Sequence, residues 1–378
     1  MRVLFVTPAL GIGGVESLMY EYIKKIQTED IQIDILAGRL LAENAAIRFE
    51  KQNVKVFCLD SAGRGIKKYR KLYAVFRNRK YDIVHLFAIA SFQCWILYLA
   101  KCCGVRIRIA HSVNVLKKPA KFYVRILHRL FRPLMRVAAT DYFACGAESA
   151  ASLFGTRKKF QNTVRIYKNG FDLSLFQFSR SERILQRERL GITEQTLLIG
   201  NIGRLAMQKN QAFLLEVFYE IRKMKKNARL LIVGSGELEK RLKERAVSLN
   251  ICSNVIFHGA SDDISGLMNA MDILVMPSLF EGVSIVMVEA QAMGLFCITS
   301  DRVPKETDVT GAVEFLSLKE SAKKWAEHIC TSAENFERKN LAGKVRKAGY
   351  SIDEITDDLK KYYIQRQYSQ KRQGEDRA

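Results

Sequence analysis

Two carboxylates stand eight residues apart in Phe280-Glu281-Gly282-Val283-Ser284-Ile285-Val286-Met287-Val288-Glu289-Ala290. The stretch Asp272-Ile273-Leu274-Val275-Met276-Pro277-Ser278 before them reads as a buried strand closed by a turn, and Val286 to Met293 after them is apolar and helix-compatible. Ser284 suits the N-cap of that helix. Glu281 then lies in the strand-to-helix loop, and Glu289 about one and a half turns into the helix. The free N–H groups of Gly282, Val283 and Ser284 face the space between them. A helix start attracts anions, and carboxylates accept hydrogen bonds from hydroxyls. That combination suits a ligand with phosphate at one end and sugar hydroxyls around it. A Glu that merely complements the helix dipole would look the same in isolation, so the neighbouring motifs have to decide.

Arg204 and Lys209 follow the strand pattern Leu197 to Ile202. Both fall in the loop and helix start beyond it, where cations neutralise a diphosphate. A solvated pair of surface cations is the competing reading. His111 ends the strand Arg108-Ile109-Ala110-His111-Ser112. It can donate to a sugar hydroxyl or move a proton, or be a satisfied core histidine. Gly11-Ile12-Gly13-Gly14 follows the first strand and permits close backbone approach to a ligand. A dinucleotide fingerprint begun at Gly11 fails, because Glu16 stands where its last glycine belongs. Gly234-Ser235-Gly236-Glu237 closes another strand, either as a plain tight turn or as part of the site. No Gly-Lys-Ser/Thr is present, which excludes a P-loop. Asp262-Asp263 lacks the setting of a carboxylate metal site, so no divalent ion is expected.

These residues need strands to carry them. Arg2–Thr7, Ile31–Ala37, Val54–Leu59, Ile83–Phe87, Ile107–His111 and Tyr142–Cys145 alternate with helical patterns. The pattern restarts at Leu197–Ile202 and continues through Leu230–Val233, Val255–Phe257, Ile273–Met276 and Phe296–Thr299. This predicts an α/β protein of two doubly wound, Rossmann-like domains with a ligand cleft at their carboxyl edges. The boundaries expected are 1–172, 173–351, and a helical segment 352–378 packing back on the first domain with a disordered tail from Ser369.

Lys and Arg number 61 against 39 Asp and Glu, a formal net charge of +22. Residues 1–175 hold 30 of the basic and 12 of the acidic groups, so +18 of that charge is in the first half. Lys117, Lys121, Arg125, Arg129, Arg132 and Arg136 recur at helical spacing beside Phe122, Ile126, Leu130 and Leu134. A second cluster from Arg64 to Lys80 contains no acidic residue. Both fit a surface lying on an anionic bilayer, with a solvated helix face as the plain alternative and a kink expected at Pro133. No nucleic-acid-binding motif accompanies the charge. Eight cysteines without zinc spacing, no signal peptide pattern and no long apolar span point to a reduced, cytoplasmic protein, peripheral on the inner membrane face.

Taken together, Gly13-Gly14-Val15-Glu16, Tyr167-Lys168-Asn169-Gly170-Phe171-Asp172, Gly203-Arg204 with Lys209, and the Glu281/Glu289 pair resemble the family 4 glycosyltransferases of the GT-B fold. Arg108 to Ser112 and Ser300 to Glu306 resemble the bacterial capsule and exopolysaccharide branch. The resemblance implies a retaining, metal-independent transferase without cofactor. It would take a nucleotide-sugar donor, UDP-linked, in the C-terminal domain and a lipid-linked saccharide acceptor in the N-terminal one. By the same resemblance Arg204 and Lys209 hold the diphosphate, Glu289 the ribose hydroxyls, and Glu281 with the amides of Gly282 to Ser284 the transferred sugar. Gly13 and Gly14 approach the donor from the other domain, and His111 contacts the donor sugar near the reaction centre. Ser284 stands where the family often has proline, and Lys305-Glu306 where small residues are commoner. From another functional class, a nucleotide-sugar or polyanion binder without transfer activity would share the glycine loops and basic patches. A dehydrogenase is disfavoured by the broken fingerprint.

Overall fold

Strands of this chain are short runs of β-branched and aromatic residues that are apolar on both faces, as in Arg2-Val3-Leu4-Phe5-Val6-Thr7, where all but Arg2 are buried. Such runs need helices over both sides and parallel neighbours. The computed structural model describes residues 1–11, 14–41, 45–60, 66–115, 122–157, 160 and 162–375. It divides the chain into two units, Met1–Phe171 with Gly349–Ala378, and Asp172–Ala348.

In the first unit β1 (Arg2–Thr7), β2 (Gln32–Ala37), β3 (Val56–Cys58), β4 (Ile83–Ala88), β5 (Ile107–Ser112), β6 (Asp141–Ala144) and β7 (Arg165–Ile166) form one sheet. Its order is β3-β2-β1-β4-β5-β6-β7, and every pairing is parallel. The helix Ile352–Glu375 completes this unit. Tyr363 Oη is 2.5 Å from His85 Nδ1, Tyr167 donates to Asp358 at 2.6 Å, and Arg366 Nε reaches Asp141 at 2.9 Å. The helix runs to Glu375, beyond the tail expected from Ser369, because Gln, Lys, Arg and Glu there are good helix formers.

In the second unit β8 (Leu198–Ile202), β9 (Arg229–Val233), β10 (Val255–Gly259), β11 (Ile273–Met276), β12 (Phe296–Ser300) and β13 (Val313–Leu316) pair in the order β10-β9-β8-β11-β12-β13. All five pairings are parallel. The order reverses between β8 and β11, as it does between β1 and β4 in the first unit. The space beyond the carboxyl ends at such a reversal is where open α/β sheets bind ligands. Among the described residues no helix is long and apolar enough to cross a membrane, and the eight cysteines are all free thiols.

His85 and His111, on neighbouring strands, are fully buried with Nε2 and Nδ1 3.0 Å apart. Burial holds His85 well below the usual imidazole range and brings His111 down to about 3. His128 is lowered by burial and by Arg132. All three lie in the first unit, whereas His258 and His328 of the second are exposed. A neutral histidine favoured by folding contributes stability that is complete above about pH 6.5 and declines below it, as the unfolded chain takes up the proton. Acidification from pH 7 to 5 should therefore loosen the first unit before the second. Hydrogen exchange at the two pH values checks this. After correction for the intrinsic pH dependence of exchange, protection should fall more in β4, β5 and Phe122–Ala138 than in β8, β9 and β11.

Candidate functional site

The reversal between β8 and β11 places two loops side by side. The loop after β8 holds Gly203 to Asn210, and the loop after β11 holds Pro277 to Ser284. They are laced together: Leu279 N–H donates to the Gln208 carbonyl at 2.8 Å, and Asn210 Nδ2 donates to the Pro277 carbonyl at 3.1 Å. Asn210 starts the following helix, Gln211–Met224, in the left-handed conformation that Asn tolerates (φ 56°).

Lys209 Nζ lies 2.6 Å from Glu281 Oε1. Both side chains are largely covered, at 16% and 10% exposure. Gln208, which the sequence did not single out, donates from Nε2 to Glu281 Oε2 at 3.1 Å and to the Phe280 carbonyl at 3.0 Å. The stem of Lys209 lies over the open face of Gly203, where an added Cβ would stand 3.0 Å from Cε. Gly234, at φ +132°, lets the loop after β9 close on the same turn, since a Cβ there would meet the Gly203 carbonyl oxygen at 2.1 Å. The Gly234-Ser235-Gly236 stretch is thus a backbone-to-backbone contact, with Leu205 N–H donating to the Ser235 carbonyl at 3.0 Å.

Arg204 turns elsewhere. Its guanidinium is 75% exposed and 3.2 Å from Glu237, a solvated pair that contributes little and is free to exchange for an anion. Glu289 sits in the helix Ile285–Ala292, sharing a partly accessible stripe with Gly282, Ile285 and Val286. Among the described residues it has no hydrogen-bond or ion-pair partner. Desolvation raises its carboxyl to about 7, although the residue as a whole keeps some access to solvent. An unpartnered carboxyl with a raised pKa beside a sheet switch point marks a ligand site. Ser284 occupies the N-cap position, but its hydroxyl makes no capping bond. Its carbonyl accepts from Met287 and Val288 instead. Gly282 and Val283 precede it in the loop.

His111 stands apart. It is fully enclosed, near-stacked on His85 with ring centroids 5.1 Å apart and edge-on to Phe143 at 5.8 Å. The structure buries His111 fully and leaves its Nε2 without a hydrogen-bond partner among the described residues. Gly14 opens the helix Gly14–Ile26 with clear space at its Cβ position, and Glu16 accepts a hydrogen bond from Gly11 N–H at 3.1 Å. The residue that breaks the dinucleotide fingerprint therefore closes the glycine loop from within. Gly13, Lys117 and Lys121 lie outside the described residues.

Arg125, Arg129, Arg132 and Arg136 fall on the helix Phe122–Ala138, which continues through Pro133. Only His128, Met135 and Ala138 of this helix are buried. His128 anchors it, accepting from Ser91 N–H at 2.9 Å and donating to the Ser152 carbonyl at 2.9 Å. Outward-facing apolar side chains remain, with Phe122 at 77%, Leu130 at 64% and Val137 at 62% exposure.

The fold is that of the GT-B class. The crystal structure of Anabaena Alr3699/HepE in complex with UDP and glucose aligns with a TM-score of 0.78 over 96% of this chain and 99% of that one, at 18% identity. The structure of WaaG, a glycosyltransferase involved in lipopolysaccharide biosynthesis, aligns at 0.70 over 94% and 99%, at 17% identity. The family Glycosyltransferase Family 4 matches residues 12–175, and the family Glycosyl transferases group 1 matches residues 182–350. EpsF of Bacillus subtilis (strain 168), named as a glycosyltransferase, is 32% identical over 344 residues, 88% of each chain. The UDP-Gal:alpha-D-GlcNAc-diphosphoundecaprenol alpha-1,3-galactosyltransferase of Escherichia coli is 24% identical over 303 residues, 77% of this chain and 76% of that one. The chain belongs to the family 4 glycosyltransferases, beside the bacterial exopolysaccharide and capsule enzymes.

The raised pKa of Glu289 carries a sign. Relative to the ordinary value of 4.5, a folded value of about 7 means that folding favours the neutral acid. The penalty is absent below 4.5, grows between 4.5 and 7, and is complete above. Glu289→Gln should therefore stabilise the ligand-free protein by roughly 2 kcal/mol at pH 8, with little effect at pH 4.5. Thermal melts at the two pH values measure this. A variant no more stable than wild type at pH 8 would show that the carboxyl is not desolvated.

Proposed function

We propose that this glycosyltransferase moves a sugar, with retention of anomeric configuration and without a metal ion, from a UDP-linked donor to a lipid-linked saccharide in exopolysaccharide or capsule synthesis. The carrying observation is the pairing of Lys209 with Glu281 at the β8/β11 reversal, with the unpartnered Glu289 on the helix that follows the Glu281 loop. Lys209 and the exposed Arg204 supply positive charge for the departing diphosphate, the stabilisation a metal would otherwise give. The amides from Gly282 to Ser284 offer donors at a helix start. Glu281 accepts from hydroxyls of the transferred sugar, and Glu289 from the ribose diol. The relative from Escherichia coli, named for a UDP-Gal donor and a diphosphoundecaprenol acceptor, supports the choice of donor and acceptor class. In this reading His111 supports the sheet from within rather than touching substrate.

The acceptor's lipid requires a bilayer, and Phe122–Ala138 suits one. Its arginines lie beside a seam of exposed apolar side chains, and the helix has no acidic residue. Burial of a single Leu or Phe side chain is worth roughly 1.5–3 kcal/mol, and each arginine near an anionic surface about 1 kcal/mol. Seam and charge together hold the enzyme peripherally on the inner, cytoplasmic membrane face.

Two outcomes test this reading. Glu281→Ala should lower transfer from the best nucleotide sugar by roughly 10²-fold or more at a temperature where the variant is fully folded, its melting temperature falling because Lys209 loses its partner. Turnover close to wild type would count decisively against the assignment, and donor binding without transfer in the wild type would favour a binding protein. Leu130→Asp with Val137→Asp should cut flotation with phosphatidylglycerol vesicles at least about tenfold and leave the fold intact, both sites being exposed. Undiminished flotation would remove the helix from the membrane contact.

A further inference from the structure

Glu281 is held at both oxygens, and the second contact comes from a neutral amide. Lys209 takes Oε1. Gln208 takes Oε2 with one amide hydrogen and the Phe280 carbonyl with the other. An amide nitrogen carries two hydrogens, so both are used. The flipped amide would set its oxygen against two acceptors, which fixes the orientation. The terminal torsion of a glutamate is broad. An ammonium alone pulls on one oxygen and leaves the carboxylate free to turn about that contact. The Gln208 amide removes this freedom. A carboxylate offers about four acceptor directions. Oε1 is enclosed against Lys209, and Oε2, with one direction taken by Gln208, keeps the direction left for a ligand.

We infer that Gln208 is a positioning residue for the sugar half of the donor. It sets the rotation of the Glu281 carboxylate so that the open acceptor direction meets the hydroxyls of the transferred sugar, and it leaves nucleotide binding to other residues. The inference rests on the donor-site reading above. Gln208 is also tied to the loop by its main chain, since its carbonyl accepts from Leu279 N–H at 2.8 Å. That bond survives any side-chain substitution, so the loop stays closed while the carboxylate loses its guide.

Calorimetry tests the role with UDP, and with whichever of UDP-glucose, UDP-galactose and their N-acetylated forms binds the wild type most tightly. Hydrogen exchange of residues 280–284 in the ligand-free protein is followed in parallel. In Gln208→Ala the affinity for UDP should stay within about twofold, while the ratio of UDP-sugar to UDP affinity falls about tenfold. Exchange at 280–284 should rise.

Gln208→Glu separates positioning from packing. At pH 8 the introduced carboxylate repels Glu281, and the ratio should fall as in the alanine variant. At pH 5.5 the two carboxyls share a proton, one donates to the other as the amide did, and the ratio should recover at least about fivefold. No such recovery is expected for Gln208→Ala. Equal losses for UDP and UDP-sugar, or no recovery in Gln208→Glu at pH 5.5, would overturn the positioning role. Unchanged exchange in Gln208→Ala would overturn the clamp itself. A wild type that binds none of the probes would overturn the donor reading and the sugar role together, with the exchange measurement still judging the clamp.

Discussion

The reversal of strand order between β8 and β11 is the constraint on which the candidate site depends. Two neighbouring parallel strands send their chains away in opposite directions there, and their loops are joined by the Leu279–Gln208 backbone bond and by side chains. The ion pair of Lys209 with Glu281 crosses between them. Its members come from different loops, more than seventy residues apart in sequence, and the sheet brings them within one contact. Each alone would be a largely covered charge in need of a partner. Together they partner each other, and under the proposed function the cation would meet phosphate and the carboxylate hydroxyls.

Glycine enforces the same economy of space. The turns after β8 and β9 approach each other through backbone rather than side chains. Gly234 abuts the carbonyl of Gly203, and the vacant face of Gly203 carries the stem of Lys209. A side chain at Gly203 would push the Lys209 stem aside, and one at Gly234 would push against the Gly203 backbone that carries it. The glycines therefore act on chemistry through distance, and none needs to touch a ligand.

Much of this was legible in the chain. Arg2–Thr7 was read with its exact bounds, and most other strands fell within a residue or two, because buried parallel strands are nearly uninterrupted apolar runs. The short strands Arg165–Ile166 and Val313–Leu316 were missed. The first has two residues and the second opens on Val-Glu, so neither has length enough for a period. The Glu281/Glu289 spacing and Lys209 were visible as residue types in strand-end loops. Gln208 was not, since an uncharged side chain beside a lysine carries no pattern, and its meaning lies in an oxygen contributed by another loop. His111 shows the opposite limit. Its place at a strand end was correct, but no linear signal announces that His85 and Tyr363, the latter 252 residues further on, form a hydrogen-bonded chain that draws it inward.

The two halves also divide the charge. A total of +22 with +18 before residue 176 means that the second unit is close to balanced, and its few cations at the site act locally rather than by a general field. The first unit works the other way. Along Phe122–Ala138 the arginines crowd one another, so that Arg132 is lowered by burial and by Arg129 and Arg136. Like charges kept this close on one helix are a standing cost unless an anionic surface relieves it. The helix meanwhile keeps Phe122, Leu130 and Val137 in water, where burial would stabilise each of them. The membrane contact proposed above would relieve both penalties at once, since a bilayer is negative at its face and apolar beneath, whereas a soluble anion would relieve only the first.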